Sequence, residues 1–126
     1  LQEIMEQNVG IVRTEEGLQN GIDELNTLSK KLTNLRTTGS RKYNPGWHLC
    51  LDLHNMVIAS KAVASAALER TESRGAHTRL DYPNYDDVFE TLNIIIRKSP
   101  DSMSVVRAPL TKMPSDLSDF VQKEAV

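Results

Sequence analysis

Apolar residues recur along the chain first at helical and later at strand spacing. Leu1, Ile4 and Met5 share one face at i, i+3, i+4, which predicts a helix over residues 1–8. Gly10 breaks it, and Ile11-Val12-Arg13 reads as a short extended link. Thr14 is a good N-cap, and Glu15 and Glu16 follow where carboxylates complement the helix dipole. From Thr14 to about Arg36 the residues Leu18, Ile22, Leu25, Leu28, Leu32 and Leu35 fall at steps of 4, 3, 3, 4 and 3. Such a narrow seam packs helix on helix. Gly21 costs roughly 1 kcal/mol against Ala and is expected to mark a close approach of another backbone.

After the loop Thr37-Thr38-Gly39-Ser40, Asn44 and Pro45 form a cap and first helical position. From Trp47 to Leu68 the helix is apolar almost all round, which predicts burial as the central element. Asp52, His54 and Lys61 interrupt it too often for a membrane span. Its end is expected near Ser73-Arg74, with Gly75 as a left-handed cap. Pro83 favours extended backbone over 76–83, which places His77, Arg79 and Asp81 on one face. Residues 85–90 read as a linker. Leu92–Ile96 and Met103–Val106 flank a turn sequence and predict a hairpin within 91–107. Ser115 is expected to cap a short amphipathic helix over 115–123, with Leu117, Phe120 and Val121 on one face. The expected organisation is mainly α: a helical bundle over 1–83, then an extension over 84–126 carrying the hairpin and the short terminal helix.

Composition narrows the function. The 126 residues are 25% charged and 39% apolar with a net charge of −2, which argues against a nucleic-acid or membrane-surface footprint. One cysteine, Cys50, excludes an internal disulfide and fits a reducing compartment. A start at Leu1 fits a piece excised from a longer chain.

His48, Cys50, Asp52 and His54 alternate, but on a helix alternate residues diverge, so only His48/Asp52 and Cys50/His54 share a face. Two-ligand pairs do not make a zinc site, and no metal is expected. His77, Arg79 and Asp81 lack an adjacent nucleophile, so an exposed, solvated loop or a docking surface is the expected use. Arg70 and Arg74 suit a helix C-terminus, whereas Glu72 carries the wrong sign there and calls for a partner. No glycine-rich phosphate loop is present.

The run Glu72-Ser73-Arg74-Gly75-Ala76-His77-x-Arg79-x-Asp81-x-Pro83 resembles the C-terminal domain signature of succinate dehydrogenase and fumarate reductase flavoprotein subunits of bacterial type. Asn44-Pro45-Gly46-Trp47-His48, Asp52-Leu53-x-Asn55-Met56 and Ala66-Ala67-Leu68-x-Arg70 add to the resemblance, as do Met5, Gly10, Arg13 and Leu18. The resemblance implies an up-and-down three-helix bundle of the spectrin-repeat type. It also implies a parent enzyme that binds FAD and interconverts succinate and fumarate. That enzyme works with an iron–sulfur subunit and a membrane anchor, in the cytoplasm on the inner face of the cell membrane. The family's flavin and catalytic motifs have no counterpart in this sequence, so no catalytic, cofactor-binding or metal residue is assigned. Glu72, Arg74, Gly75, His77, Arg79 and Asp81 are expected to dock onto the flavin-binding and capping domains. Two alternatives are the same domain of a related flavoprotein such as L-aspartate oxidase, and a free-standing helical interaction module. The isolated piece, with an unpaired hairpin edge, is expected to self-associate.

Overall fold

Local side-chain caps set where the long helices begin. In the computed structural model, which describes residues 1–100, 102–115 and 117, helix α1 runs Gln2–Val9 and α2 runs Glu15–Leu32. The Thr14 hydroxyl accepts from the Gly17 N–H at 3.1 Å, as expected of the cap. Helix α3 runs Pro45–Glu69, with the Asn44 side-chain oxygen accepting from the Trp47 N–H at 3.3 Å.

The helix ends differ from expectation. α2 stops at Leu32 rather than near Arg36, because Thr33 turns its hydroxyl onto the Lys30 carbonyl at 2.8 Å. The Thr33, Asn34 and Leu35 N–H groups then bond three residues back, which closes the helix and leaves Leu35 exposed. α3 stops at Glu69 rather than Ser73-Arg74, since Arg70 is already extended at φ −83°, ψ 100°. The carbonyls left without partners at that end are taken by a distant arginine, Arg79, and not by a glycine cap. Gly75 does adopt φ +59°, but it opens a two-residue turn between Arg74 and His77, whose N–H and carbonyl groups pair at 2.9 and 3.1 Å.

Two short strands, β1 (Val12–Arg13) and β2 (Thr78–Arg79), pair in parallel with Val12 opposite Thr78 and Arg13 opposite Arg79. The stretch read as a linker contains one helical turn, α4 (Asp87–Glu90), capped by Asp86 and burying Phe89. The hairpin β3 (Leu92–Lys98) and β4 (Met103–Pro109) is antiparallel, with Ile95 opposite Val106, and runs two residues further than expected at Pro109. It lies on α3, where Arg107 Nε meets Glu69 Oε1 at 2.6 Å. The helix expected over 115–123 lies, beyond Leu117, outside the described residues.

The core gathers Val9, Leu18, Leu25, Ala64 and Ala67, with Leu1, Ile4, Met5, Ile22 and Leu68 packed against it. Gly21 is buried because α1 crosses there: a Cβ would lie 2.9 Å from Asn8 Cβ and 3.1 Å from a Val9 methyl. The α2 leucine seam thus packs helix on helix at Leu18 and Leu25, as its spacing predicts.

α3 is not the most buried element. Its buried positions are a narrow stripe of Val57, Ser60, Ala64 and Ala67, whereas Leu49 is 62% and Ile58 56% exposed. A helix apolar on all sides needs neighbours on all sides, and α1 is only two turns long and packs near Gly21. No described helix is long and apolar enough to cross a membrane.

Candidate functional site

The end of α3, the Arg74–His77 turn and β2 bring the ionisable groups of residues 70–81 together over the core. Glu72 is fully buried. Its Oε1 accepts from Arg70 Nη1 and from Arg74 Nε, the latter at 3.0 Å. Its Oε2 accepts from Arg74 Nη2 at 3.1 Å and from the Asp86 N–H at 3.0 Å. A carboxylate so supplied with donors stays ionised although buried. The Arg74 hydrogen bonds, aided by the Asp86 N–H and Arg70, outweigh burial and hold it at a pKa of about 2. The same pairing raises Arg74, whose guanidinium lies 4.9 Å over the Tyr85 ring. The Phe89 ring carries Arg70 on one approach and Arg107 on another, at 5.3 and 5.0 Å.

Arg79 is the second buried charge, with no exposed surface. Its Nε and Nη2 grip both Asp81 oxygens at 2.7 Å. Its Nη1 donates to the carbonyls of Ala67, Leu68 and Arg70 at 3.2–3.3 Å and so caps α3. Asp81 Oδ2 also accepts from the Glu15 N–H at 2.8 Å, which ties the loop to the start of α2. These bonds, Arg79 first, hold the Asp81 carboxyl well below the usual carboxylate range. Ser73 closes the loop: its hydroxyl accepts from the Arg79 N–H and donates to the Tyr82 carbonyl, each at 2.8 Å. Among the described residues no buried side-chain polar atom lacks a hydrogen-bond partner.

His77 is half-buried between Arg13 and the end of α3. Arg13 Nη1 lies 2.6 Å from His77 Nδ1, and His77 Nε2 lies 3.0 Å from the Arg70 carbonyl. Arg13 also donates to the Gly10 carbonyl at 2.5 Å and to that of Val9 at 3.3 Å.

His77, Arg79 and Asp81 do come to one side, which faces α3 and α2, but extended backbone covers only Thr78–Arg79. The Tyr82 N–H bonds back to the Arg79 carbonyl at 3.2 Å, so a turn rather than strand alternation brings Asp81 round. Of the six residues singled out in the sequence, Glu72 and Arg79 present no surface at all. Gly75 sits exposed at the turn tip, while the side chains of Arg74 and Asp81 are 36% and 29% exposed. Sequence reasoning missed the structural roles of Arg13 and Asp86, whose partners are 64 and 14 residues away. The cap pattern Asp86-Asp87-Val88-Phe89 was the available signal for Asp86. Around the loop, Ile11, Val12, Leu80 and Tyr82 stand exposed, Leu80 at 65%.

The residues of α3 that alternate as His, Cys, Asp and His engage locally: His54 Nδ1 is 2.8 Å from the Cys50 carbonyl, and the Trp47 and His48 rings meet edge to face. Among the described residues no three His, Cys, Asp or Glu side chains converge as a metal site.

A family profile described as the fumarate reductase flavoprotein C-terminus matches residues 1–118. The succinate dehydrogenase flavoprotein subunit of Coxiella burnetii is 36% identical over 88 residues, which are 69% of this chain and 15% of that protein. A fumarate reductase flavoprotein subunit of Mycobacterium tuberculosis is 32% identical over 116 residues, 88% of this chain and 19% of that protein. The Mycobacterium smegmatis Sdh1 structure in complex with UQ1 superposes with a TM-score of 0.85 at 38% identity, covering 98% of this chain and 22% of that one. The chain thus spans less than a quarter of each relative, and the loop of buried charges falls inside the matched region. By profile, identity and fold together, the chain belongs to the family of C-terminal domains of fumarate reductase and succinate dehydrogenase flavoprotein subunits.

Proposed function

We propose that the chain acts as the structural and docking domain of an FAD-dependent flavoprotein subunit that interconverts succinate and fumarate. The observation that carries this reading is a loop braced from beneath and apolar outside. Glu72 and Arg79 are fully buried and saturate their partners within the chain, while Ile11, Val12, Leu80 and Tyr82 stand exposed around them. A surface of that kind, on a rigid support, fits a permanent neighbour. The flavin-binding and capping domains of the same subunit are the neighbour proposed. Arg74, Gly75 and Asp81 contribute from its polar margin, and Glu72, His77 and Arg79 contribute by holding the loop in shape. The parent complex, with its iron–sulfur subunit and membrane anchor on the inner face of the cell membrane, belongs to the same proposal.

The described residues do not fit a dinucleotide. Their parallel pairing is two residues long, and no glycine-rich turn joins it to a helix as a pyrophosphate cradle requires. No flavin step is therefore assigned to this chain.

In the flavoprotein subunit that carries this domain, Leu80→Glu should lower FAD retention and the thermal midpoint of the whole subunit. Arg74→Ala should do so too, in its case also by stripping buried Glu72 of its bidentate partner. Unchanged flavin content and midpoint in both variants would sink the docking reading. The chain alone should neither bind FAD stoichiometrically nor reduce a dye with succinate.

A further inference from the structure

His77 sits at a junction where every facing charge constrains its protonation. From β1, Arg13 points a guanidinium N–H at Nδ1, 2.6 Å away, so that nitrogen must offer a lone pair. At the other side Nε2 meets the Arg70 carbonyl at 3.0 Å, so that nitrogen must carry the hydrogen. The ring is thereby fixed as the neutral Nε2–H tautomer. Arg79 Nη1 donates to the same Arg70 carbonyl at 3.3 Å, and Arg74 pairs with His77 through the backbone. The nearby carboxylates are engaged elsewhere: Glu72 with Arg70 and Arg74, Asp81 with Arg79 and the Glu15 N–H. Among the described residues Arg13 makes no hydrogen bond to an acid, and beyond His77 it holds the Val9 and Gly10 carbonyls.

The clasp fastens two distant parts of the chain. Arg13 belongs to the segment joining α1 to α2, and His77 to the turn after α3. Beside it run the two bonds of the parallel pair, Thr78 N–H to the Ile11 carbonyl at 3.1 Å and Leu80 N–H to the Arg13 carbonyl at 2.9 Å. Ile11, Val12 and Leu80, which carry the exposed apolar surface, are positioned by those bonds.

We propose that Arg13 and His77 form a pH-gated clasp, shut while the imidazole is neutral and opened by its protonation, which releases β1 from β2 and disorders the docking surface. A second proton would have to sit on Nδ1, directly against the Arg13 N–H, placing cation on cation. The electrostatics agree in direction. Burial lowers the His77 pKa, the Arg70 carbonyl offsets part of that, and Arg13, Arg79 and Arg70 push it down again. A group lowered in the folded state stabilises it above its ordinary value of 6.5. That contribution is lost as pH falls from 6.5 toward the lowered folded value, and over that window the opening constant of the clasp rises about tenfold per pH unit.

This gate rests on the docking reading only for what the surface meets; the opening itself is a property of the chain. The test is nuclear magnetic resonance on the 126-residue chain across pH 7 to 4.5. Nitrogen shifts of His77 should show the Nε2–H tautomer and a midpoint below 6.5. Exchange protection of the Thr78 and Leu80 amides should fall about tenfold per pH unit through the window, while that of Leu25 holds. His77→Asn, whose amide oxygen accepts from Arg13 and does not titrate, should abolish the pH dependence. A His77 midpoint at or above 6.5, or the Nδ1–H tautomer, overturns the gate in the unaltered protein whether or not the variant folds. Protection that falls equally in His77→Asn overturns it too. A normal gate beside unaltered flavin retention in Leu80→Glu overturns docking alone.

Discussion

The first half of α3 and the loop that follows α3 invert each other. Residues 47–58 are rich in apolar side chains and leave many of them in solvent, Leu49, Leu51, Met56 and Ile58 among them. Residues 70–81 are rich in charge and place two of those charges, Glu72 and Arg79, wholly inside. Burial follows from what a side chain finds around it rather than from its polarity. The loop supplies each buried charge with a bidentate counter-ion and backbone partners, whereas the helix outruns the neighbours that could cover it. Charge inside and apolar surface outside are both costly; the buried charges lie beside the face proposed for docking, whereas residues 47–58 occupy the other end of α3.

The contrast breaks most visibly at Arg79. Arg79→Ala strips Asp81 of its counter-ion and leaves the Ala67, Leu68 and Arg70 carbonyls at the end of α3 without their donor. Removing one partner of a buried pair costs about 3–5 kcal/mol. A urea titration followed by circular dichroism should lose that much, with the end of α3 fraying. A loss under about 1 kcal/mol, the level of an ordinary surface substitution, would mean the loop is not the buried ionic unit described.

Much of that unit can be read from the sequence, for a geometrical reason. The sequence marks Glu72 as a charge that needs a partner at a helix C-terminus, and it sets Arg79 and Asp81 two residues apart on what reads as one face. That Glu72 needs a partner and that Arg79 and Asp81 lie together was legible; that these groups pair with one another and turn inward was not, because that depends on α3 ending four residues early. The helix starts were legible at Thr14 and Asn44 because a cap acts within three residues. The ends were not, since the donor that terminates α3 comes from Arg79, ten residues beyond Glu69. The Arg13–His77 contact spans 64 residues and leaves no local trace. The apolar run of α3 was overread: a continuous pattern signals what a helix could bury, and only packing decides what it does bury.

Acid tests the same unit at smaller cost. Glu72, held at about 2 against an ordinary 4.5, and Asp81, lowered chiefly by Arg79, both bind fewer protons folded than unfolded. Their stabilisation is complete above the ordinary carboxylate values and is lost as pH falls through about 4.5 toward 2. The thermal midpoint should therefore drop steeply in that range, below the pH of 6.5 at which the His77 window opens. Glu72→Gln turns an amide toward donors that need an oxygen, so it should cost about 1–3 kcal/mol at neutral pH and flatten this acid limb. An acid limb as steep in Glu72→Gln as in the unaltered chain would assign the titration to other carboxylates.

The opposite region should yield the smallest effect. Leu49→Ser and Leu51→Ser remove large apolar groups, yet both side chains are about half in solvent or more, at 62% and 48%. The loss in the isolated chain should be about 0.5 kcal/mol each, chiefly the lower helix propensity of serine. Leu18→Ala, fully buried in the core, should cost about 2–5 kcal/mol in the same titration. The same serine variants should reduce self-association, because contiguous exposed apolar surface is what brings copies together. Light scattering at high concentration reads that directly. A cost near that of Leu18→Ala would place this face in a packed interior; unaltered association would move the sticky surface to the hairpin edge or to Ile11 and Leu80.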